Sequence, residues 1–432
     1  MKYAVVTFGC RVNQADSLGF EEQLLAAGAV SAAPRDADLV VVNSCSVTAT
    51  ADQGTRQTIR RIARDNPNAR IVVTGCYATR RPEEVAALPN VERVILNDDK
   101  PQLVQLIRRA TAENATIAEP TLFSGRSAIS AIASSEGGPC GAAIEPGVAG
   151  RTAFTLRVQT GCAEPCSYCI IPSTRGTPRS VPLNDILREV ERVTAAGFKE
   201  IALTGVHLGS YGRDLEAGAS LIGLLRALDF PDTLFRISSL EPMDCSRQIV
   251  DLVAASDRFA PHFHLPLQHA SDRLLDAMRR PYTIEYYASL VDTIRARIPE
   301  ASIGSDIIVG FPGETDDDFE RLVSYLERSP LTHIHVFPYS DRPGTLASAM
   351  PGKVNGVVIR ERGRQIREIG QRLTQRFRES LVGTTHRALT LEDGTLAMTG
   401  NYVKVRIPPG RARNEWVRVR LTSQHDGELL RS

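Results

Sequence analysis

The sequence predicts an α/β protein of three parts: an N-terminal domain with a parallel βαβ sheet, a central partial (β/α)6 barrel and a small C-terminal all-β barrel. Three observations predict this fold class. Apolar runs of strand length alternate with helical stretches over most of the chain. Several of these runs end at a cysteine. The C-terminal segment instead alternates apolar and charged residues between turns, as short antiparallel strands do.

The composition limits the class of protein. The chain has 432 residues, 42% of them hydrophobic, and a net charge of +1, which excludes a general polycation. No apolar run reaches the roughly 18 residues that a membrane span needs. The N-terminal MKYAVVTFGC is typical of a strand, not of a signal peptide. We therefore expect a cytoplasmic protein with no membrane partner.

The composition also divides the chain into segments. A stretch rich in Ala, Ser, Gly and Pro, with little apolar periodicity, indicates a linker between domains. The division that we predict is an N-terminal domain at 1–112, this linker at 113–150, a core at 151–378 and a C-terminal barrel at 379–432.

Three apolar, β-branched runs in the first third end at Cys10, Cys45 and Cys76. Helical stretches near Gln14–Ala27 and Thr48–Asp65 separate them, which predicts parallel strands. Because parallel strands end at one edge of a sheet, the three thiols should converge there. A single cysteine in such a place is usually a small buried hydrophobic residue. Three at equivalent positions are better explained as ligands of an iron–sulfur cluster.

The stretch GCAEPCSYC, which we call the cysteine loop, holds Cys162, Cys166 and Cys169 with the spacing C-x3-C-x2-C. Three soft thiolates suit an iron–sulfur cluster and leave one iron open for a further ligand. Structural zinc usually needs four ligands from paired C-x2-C units, and the sequence has no second C-x2-C. The two remaining cysteines, Cys140 and Cys245, do not follow strand-like runs, and we predict that neither is a ligand.

The central part contains six strand-like runs with helical stretches between them, including Leu183–Ala196 and Asp316–Arg328. This repeat predicts a partial (β/α) barrel, in which active sites lie at the carboxyl ends of the strands. The cysteine loop follows the first run and so belongs to that end. The runs are Phe154–Gln159, Glu200–Thr204, Leu234–Ser239, His262–Leu265, Ile303–Val309 and His333–Phe337.

The ends of these runs supply candidate site residues. Gly205 and Gly310 allow a backbone to approach a ligand closely, although ordinary turn chemistry explains them equally well. His207 and His264 are candidates for the barrel mouth, while most single histidines are core or surface residues. Arg175, after the cysteine loop, is expected to face a cofactor, a phosphate or only solvent, as is Arg179.

Two features of the C-terminal third indicate RNA binding. From Lys353 to Arg378 the sequence has a surplus of basic residues, and Arg360–Leu381 has one apolar helical face. The segments THRALTLE, NYVKVRIP and EWVRVRLT then predict a small barrel of oligonucleotide-binding type. Basic residues alternate there with valines and lie near aromatic ones, which suits loop or single-stranded RNA. A solvated strand face is the alternative. The residues concerned are Lys404, Arg406, Arg418, Arg420, Tyr402 and Trp416.

The cysteine loop, with Tyr168 before its last cysteine, resembles the signature of radical S-adenosylmethionine (SAM) enzymes. The resemblance implies that Cys162, Cys166 and Cys169 hold a [4Fe-4S] cluster whose open iron binds SAM. One-electron reduction then cleaves SAM to a radical. SAM contacts are expected at Tyr168, Gly205, Ser239 and Gly310.

Over its whole length the chain resembles the radical SAM methylthiotransferases. The resemblance implies a C-terminal barrel of the TRAM type and a second [4Fe-4S] cluster at Cys10, Cys45 and Cys76, which delivers sulfur. It implies no catalytic residues beyond the cluster ligands. The motifs that carry it are TFGCRVNQADS, VVNSCSVT, VVTGCYA, the cysteine loop with IIPSTRGTPRS after it, and DIIVGFPGET.

Within that family, LTGVHLGSYG, RISSLEP and HVFPYSDRPGT are similar to the branch that modifies C2 of threonylcarbamoyladenosine at position 37 of tRNA. The implied partners are a tRNA anticodon loop, an electron donor such as flavodoxin or ferredoxin, and a sulfur source. Ala163-Glu164-Pro165 and the stretch Gln268–Asp272 depart from the usual family pattern, which affects the shape of the expected pocket.

Three other functions stay open on the sequence. Two are sister branches, which act on isopentenyladenosine in tRNA or on an aspartate of a ribosomal protein. The third is an iron–sulfur RNA-binding protein without catalysis. The formation of deoxyadenosine from SAM separates the last one from the enzymes, because a C–H bond that is neither acidic nor activated requires a cofactor that carries the radical step.

Overall fold

A computed structural model describes residues 1–113, 146, 152–216 and 218–430. The predicted linker lies almost wholly outside these residues, as does Cys140, and the predicted domain boundaries remain predictions. The chain divides into two compact units. Unit 1 comprises Met1–Ile144, Thr160–Glu164 and Cys169–Arg179, and unit 2 comprises Glu145–Gln159, Pro165–Tyr168 and Ser180–Ser432. None of the described helices is both long enough and apolar enough to cross a membrane.

Unit 1 is built on a five-stranded parallel sheet with the strand order β2-β1-β3-β4-β5. The three runs that end at cysteines are confirmed as β1, β3 and β4, whereas the two edge strands were not predicted. The strands are β1 (Lys2–Thr7), β2 (Val30–Ser31), β3 (Leu39–Ser44), β4 (Arg70–Gly75) and β5 (Val91–Ile95). The helices are α1 (Arg11–Ala26), α2 (Ala49–Asp65), α3 (Cys76–Arg80), α4 (Pro82–Ala86), α5 (Leu103–Glu113) and α6 (Ile171–Arg175).

Strand β3 shows why this sheet is covered on both sides. All six of its residues are buried. Val40 and Val42 belong to one apolar cluster, which α2 joins through Ile59. Leu39 and Val41 belong to a second cluster on the opposite face. Successive strand residues point to opposite faces, so a continuous apolar run is what a strand buried on both faces requires.

The central part of unit 2 contains six parallel strands in two sheets, β6-β9-β10 and β11-β12-β13. An isolated bridge from Phe235 in β10 to Phe259 connects the two sheets. The six predicted strands and the predicted (β/α)6 repeat are confirmed. The strands are β6 (Phe154–Arg157), β9 (Glu200–Thr204), β10 (Leu234–Ile237), β11 (His262–His264), β12 (Ser302–Val309) and β13 (His333–Pro338). The short strands β7 (Gln159–Thr160) and β8 (Arg179–Ser180) pair with each other.

In this central part, helices alternate with the strands along the chain. Helix α12 has a capping box, in which the Thr315 side chain accepts from the Asp318 N–H and the Asp318 side chain accepts in return. The helices are α7 (Leu183–Ala195), α8 (Leu221–Ala227), α9 (Arg247–Ala255), α10 (Asp272–Ala277), α11 (Ile284–Arg297), α12 (Asp316–Arg328) and α13 (Gly356–Ser380).

The C-terminal part of unit 2 is an antiparallel sheet with the order β16-β15-β14-β17-β18. A bridge between Arg406 and Asp426 links its two ends, so the sheet curls around an apolar core that includes Val405 and Val419. The all-β prediction is confirmed, although two strands were missed because they are short. The strands are β14 (Thr385–Leu391), β15 (Leu396–Thr399), β16 (Lys404–Arg406), β17 (Trp416–Leu421) and β18 (Gly427–Leu429).

The C-terminal sheet covers the strand starts of the central part. The Asn401 Nδ2 donates to the Glu300 carbonyl at 3.0 Å, just before β12. The Trp416 Nε1 donates to the Asp232 carbonyl at 3.1 Å, just before β10. These contacts lie at the end opposite to the carboxyl ends of the strands, where barrel active sites are found.

Tyr402 completes this cover. Its ring stacks on His262 at a centroid distance of 4.9 Å, and the Arg236 guanidinium lies 4.4 Å from its centroid. Arg236 is buried and paired with Glu200 at 2.9 Å. The sequence led us to expect Tyr402 beside the basic strand face. Its ring packs instead against the central part.

Candidate functional site

The strand-end cysteines Cys10, Cys45 and Cys76 lie at one edge of the unit 1 sheet. Cys10 and Cys45 come shortly after β1 and β3, and Cys76 begins α3 directly after β4. Ser44 and Gly75 are partners in the sheet register, so the cysteines that follow them leave the sheet side by side. Cys45 and Cys76 are buried, whereas Cys10 is exposed.

Two glycines allow this close approach. Gly9 and Gly75 both have positive φ, +89° and +98°, which L side chains rarely adopt. A Cβ on Gly9 would lie 2.5 Å from the Cys45 Sγ, and a Cβ on Gly75 would lie 2.2 Å from the Ser44 carbonyl oxygen. Gly9 must therefore lack a side chain for Cys45 to lie beside it, and Gly75 must lack one for β4 to lie against the end of β3.

The three thiols are within electrostatic reach of one another. Burial, together with the neighbouring charges of Cys76 and Cys10, raises the pKa of the Cys45 thiol to about 12. Burial also acts to raise the pKa of Cys76, but Arg175 and Lys100 outweigh it, so this pKa is lowered. A buried thiolate is thus stabilised at Cys76 by neighbouring cations.

Arg175 supplies the nearest cation. It is buried, at 3% exposure, and its Nε donates to the Cys76 Sγ at 3.4 Å. Its guanidinium also donates to the Asn13 Oδ1. We expected this side chain to face a cofactor, a phosphate or solvent, and the structure places it instead against a strand-end cysteine.

Lys100 adds a second buried cation. Its Nζ donates to the Asp16 Oδ2 at 2.7 Å and to the Asn43 Oδ1 at 3.1 Å. Arg175 lies 3.5 Å from the same carboxylate oxygen. Two buried positive charges therefore share one carboxylate, and buried charge of this kind needs a compensating partner.

The residues present fit an anionic iron–sulfur centre held by the strand-end cysteines. Three thiolates are the soft ligands that such a cluster takes, and the surplus positive charge balances them. Two polar atoms at the same edge, the Thr74 Oγ1 and the Asn97 Oδ1, are buried without a hydrogen-bond partner among the described residues. The Asn97 Nδ2 lies 3.8 Å from the Cys76 Sγ.

The cysteine loop is shared between the two units. In unit 1, the Cys162 N–H donates to the Gly176 carbonyl at 3.0 Å, and the Cys162 Sγ accepts from the Glu164 N–H at 3.4 Å. A Cβ on Gly161 would lie 1.9 Å from the Thr177 carbonyl oxygen, so the loop begins with a close backbone approach. The segment Ala163-Glu164-Pro165, which departs from the usual family pattern, thus still supplies an N–H to a cysteine sulfur.

In unit 2, Cys166 has an arginine partner that the sequence did not reveal. The Arg280 Nη1 donates to the Cys166 Sγ at 3.1 Å. Arg280 is buried and also donates to the Tyr282 hydroxyl and to the Glu241 carboxylate. The Cys166 sulfur, which the sequence predicts to be a cluster ligand, therefore has a buried hydrogen-bond donor beside it.

The structure gives local reasons for two of the predicted SAM contacts. Tyr168 packs beside the apolar cluster around Phe311. Gly310 has φ +79°, its N–H donates to the Glu314 carboxylate, and a Cβ would lie 2.4 Å from the Ile359 side chain. Packing thus explains this glycine, and a SAM contact at either residue remains a prediction.

The other two predicted contacts follow β9 and β10. A Cβ on Gly205 would lie 2.9 Å from the Gln159 Oε1, so this residue is also closely packed. Ser239 is exposed, whereas the Oγ of its neighbour Ser238 is buried without a hydrogen-bond partner in the described part of the chain. Ser238 is therefore the better candidate for a ligand contact at this strand end.

His207 and His269 show two different uses of a buried histidine. His207 is buried, and its Nε2 lies 2.7 Å from the Asp244 Oδ2. His269, in the second stretch that departs from the family pattern, accepts from the Ser271 N–H through its Nδ1. Burial lowers the pKa of His269 to about 4, so this side chain is neutral at physiological pH.

The expected basic surface is present in part. On helix α13, Arg362 is buried in an ion pair with Glu314, and Arg364 pairs with two glutamates of its own helix. On β17, Arg418 and Arg420 are exposed and alternate with buried residues, as predicted. A groove beside them is lined by Arg387, Arg411, Trp416 and Arg418. The Arg387 guanidinium stacks 3.9 Å from the Trp416 ring centroid.

Two family models match the chain. The radical SAM superfamily model matches residues 156–326, and a model described as uncharacterized protein family UPF0004 matches residues 2–97. A solved radical S-adenosylmethionine methyltransferase, TsrM from Kitasatospora setae, is 17% identical with a TM-score of 0.55, over 80% of this chain and 74% of that one. The fold and the cysteine loop therefore define a radical SAM protein.

Relatives that align with nearly the whole length of this chain define the family within that superfamily. Threonylcarbamoyladenosine tRNA methylthiotransferase MtaB of Aquifex aeolicus is 36% identical, over 94% of this chain and 96% of its own. The ribosomal protein uS12 methylthiotransferase RimO of Geotalea uraniireducens is 32% identical over 99% and 97%. The tRNA-2-methylthio-N(6)-dimethylallyladenosine synthase of Carboxydothermus hydrogenoformans is 32% identical over 95% and 97%. The chain belongs to the radical SAM methylthiotransferase family, as the sequence motifs indicated.

Proposed function

We propose that this enzyme attaches a methylthio group to C2 of N6-threonylcarbamoyladenosine at position 37 of tRNA. The chemistry rests on one observation above all: Cys10, Cys45 and Cys76 share an edge of unit 1 that carries surplus buried positive charge. Four MtaB relatives at 31–36% identity support the substrate. Relatives named for other substrates are nearly as similar. The experiment must therefore distinguish threonylcarbamoyladenosine, isopentenyladenosine and the ribosomal-protein aspartate as substrates.

The protein residues divide the work between two cysteine groups. Bound to the cysteine loop, a [4Fe-4S] cluster with SAM supplies one-electron chemistry, and a second cluster at the strand-end cysteines supplies sulfur. Arg280 orients the Cys166 thiolate. Arg175 and Lys100 hold the Cys76 sulfur in its ionised form. We propose SAM contacts at Tyr168, Gly205, Ser238, Ser239 and Gly310.

RNA binding is proposed for the exposed face of the C-terminal barrel. Arg387, Arg411 and Arg418 line a groove beside Trp416, which offers cationic and aromatic contacts to a nucleotide. The proposed partner is the tRNA anticodon loop. The reaction further requires a one-electron donor, such as flavodoxin or ferredoxin, and a source of sulfur.

The test is mass spectrometry of tRNA nucleosides and of ribosomal protein from a strain that lacks the gene, with and without complementation. We expect methylthio-threonylcarbamoyladenosine to disappear and to return with the gene. Loss of the methylthio group from isopentenyladenosine, or from the ribosomal-protein aspartate, would assign a sister substrate. No change in any of the three would exclude the proposal.

A Cys10→Ala variant separates the two cysteine groups. The reconstituted wild type should hold about eight irons, from two four-iron clusters. The variant should hold about half of that, still form deoxyadenosine from SAM and yield no methylthio product. Cys245, which is buried and which the sequence predicts to be no ligand, provides the control: Cys245→Ala should keep the full iron content. Normal product from Cys10→Ala would overturn the role of the strand-end cysteines.

A further inference from the structure

A cluster of histidines lies on one face of the sheet β11-β12-β13 in unit 2. In the register, Gly304 pairs with His264 on one side and with His333 on the other, and Asp306 pairs with His335. Residues in register on neighbouring strands share a face. The opposite face, which carries Ser305, packs toward Tyr287 of α11. We call the first face the histidine face.

Three side chains of this face bring metal-binding atoms together. The His264 Nε2 lies 2.9 Å from the Asp306 Oδ1, and the His335 Nδ1 lies 3.1 Å from the same oxygen. All three donor atoms lie within 4.8 Å of one another. Two atoms bound to one ion at about 2.1 Å lie about 3 Å apart when they subtend a right angle at it. The two separations from the Asp306 Oδ1 therefore match neighbouring positions on one ion.

Gly304 supports this interpretation independently. It lies inside strand β12 without the positive φ that would require glycine, and a glycine in such a place weakens a strand. A Cβ there would lie 2.1 Å from the His333 Nε2 and 2.9 Å from the His264 Nδ1. The missing side chain is thus what gives the imidazoles room to lean over the central strand.

The arrangement leaves access for an ion and for further ligands. The His335 side chain is 59% exposed, the Asp306 side chain 25% and the His264 side chain 13%. Two imidazoles and one carboxylate occupy three positions of an ion that takes four to six ligands, so the rest remain open for water or a small anionic ligand. These nitrogen and oxygen donors are also harder than the thiolates of the cysteine groups.

We propose that His264, Asp306 and His335 bind a divalent first-row transition-metal ion, in addition to the iron–sulfur centres of this family. The ion links the three strands β11, β12 and β13 across Gly304. The rival interpretation is a hydrogen-bonded trio without an ion, in which both imidazoles donate to the Asp306 carboxylate.

The test is a Zn²⁺ titration of the full-length, cluster-loaded protein under anaerobic conditions, so that iron already occupies the cysteines. We expect one Zn²⁺ per chain by calorimetry. His335→Ala and Asp306→Asn should weaken binding at least about tenfold, because each removes a direct ligand. His335 is largely exposed and Asn is close in shape to Asp, so both variants should fold, and an unchanged iron content checks this.

His425→Ala is the matched control, because this histidine lies on the C-terminal barrel, where its Nδ1 is 3.2 Å from the Arg378 Nη1. It should bind Zn²⁺ like the wild type. X-ray absorption spectroscopy at the zinc edge should show only nitrogen and oxygen atoms as direct neighbours of the ion. Sulfur neighbours at about 2.3 Å would place the ion at cysteines and overturn the proposal. The absence of Zn²⁺ binding, or equal binding by Asp306→Asn, would leave the hydrogen-bonded trio.

Discussion

Cys76 in unit 1 and Cys166 in unit 2 both accept a hydrogen bond from a buried arginine, yet their surroundings differ in charge. Beside Cys76, Arg175 and Lys100 share the single carboxylate of Asp16. Beside Cys166, Arg280 has a carboxylate of its own in Glu241.

The difference teaches what each arginine does. Among the described contacts of unit 1, two buried cations share the carboxylate of Asp16, which favours a buried anionic centre beside them. The unit 2 contact is already neutral before the sulfur is counted, so Arg280 acts mainly by fixing the position of one thiolate. Removing the two arginines should therefore have unequal effects.

The largest effect is expected from Arg175→Met. The change leaves Lys100 and Asp16 balanced, so the thiolates lose their counter-charge, and an uncompensated buried charge costs about 3–5 kcal/mol. We expect about half of the iron to be lost and methylthio product to be undetectable, with deoxyadenosine formation preserved. Iron analysis and product assays measure this. Full iron content together with normal product would remove the proposed difference between the two sites.

Arg280→Met should have a smaller effect of another kind. It removes one charge-assisted hydrogen bond to Cys166, which contributes about 1.5–3 kcal/mol. We expect the rate of SAM cleavage to fall about tenfold or more with the iron content unchanged. Arg280→Lys keeps the charge and should fall between the variant and the wild type. An unchanged rate in Arg280→Met would show that the contact has no role in SAM cleavage.

Alanine variants of two glycines in unit 1 distinguish the effect of backbone strain from the effect of crowding at the cysteines. Gly9 and Gly28 both have positive φ, but only a Cβ on Gly9 would meet a neighbour, the Cys45 Sγ. Each Ala variant should lose about 1–2 kcal/mol of stability from its φ. Only Gly9→Ala should also lose iron severalfold faster on exposure to a chelator. Equal iron loss by the two variants would mean that the cysteines do not depend on this close approach.

The smallest effect is expected from Arg418→Ala on strand β17 of the C-terminal barrel. One lost phosphate contact should lower the salt dependence of tRNA binding by about 0.7–0.9 in the log–log slope and weaken binding a few-fold. Iron content and SAM cleavage should stay at the wild-type level. A fall in iron content or in SAM cleavage would show that the exposed barrel face influences the cysteine sites. The effects of the two arginines could then not be assigned to their local contacts alone.

The strand-end cysteines were predictable because their signal is local. Each follows an apolar run, and parallel strands must end at one edge, so Cys10, Cys45 and Cys76 could be grouped without coordinates. The six central strands were predictable for the same reason. The edge strands β2 and β18 were missed because two or three residues carry no measurable periodicity.

The charged partners of the cysteines could not be found in this way. Arg175 and Cys76 are far apart in the sequence, as are Arg280 and Cys166, and neither arginine belongs to a pattern that indicates a thiolate partner. The contacts of Tyr402 were missed for a similar reason: we placed it beside the basic strand face, whereas its ring stacks on His262 and lies under the Arg236 guanidinium. Such contacts depend on tertiary packing, which periodicity does not encode.

The packing of Tyr402 against Arg236 and His262 has a consequence for the strand starts in the central part of unit 2. The C-terminal sheet lies against the beginnings of the strands, so this end of the central part is covered by described residues. A chain cut short before residue 381 would uncover that end and expose the buried ion pair between Arg236 and Glu200 to water.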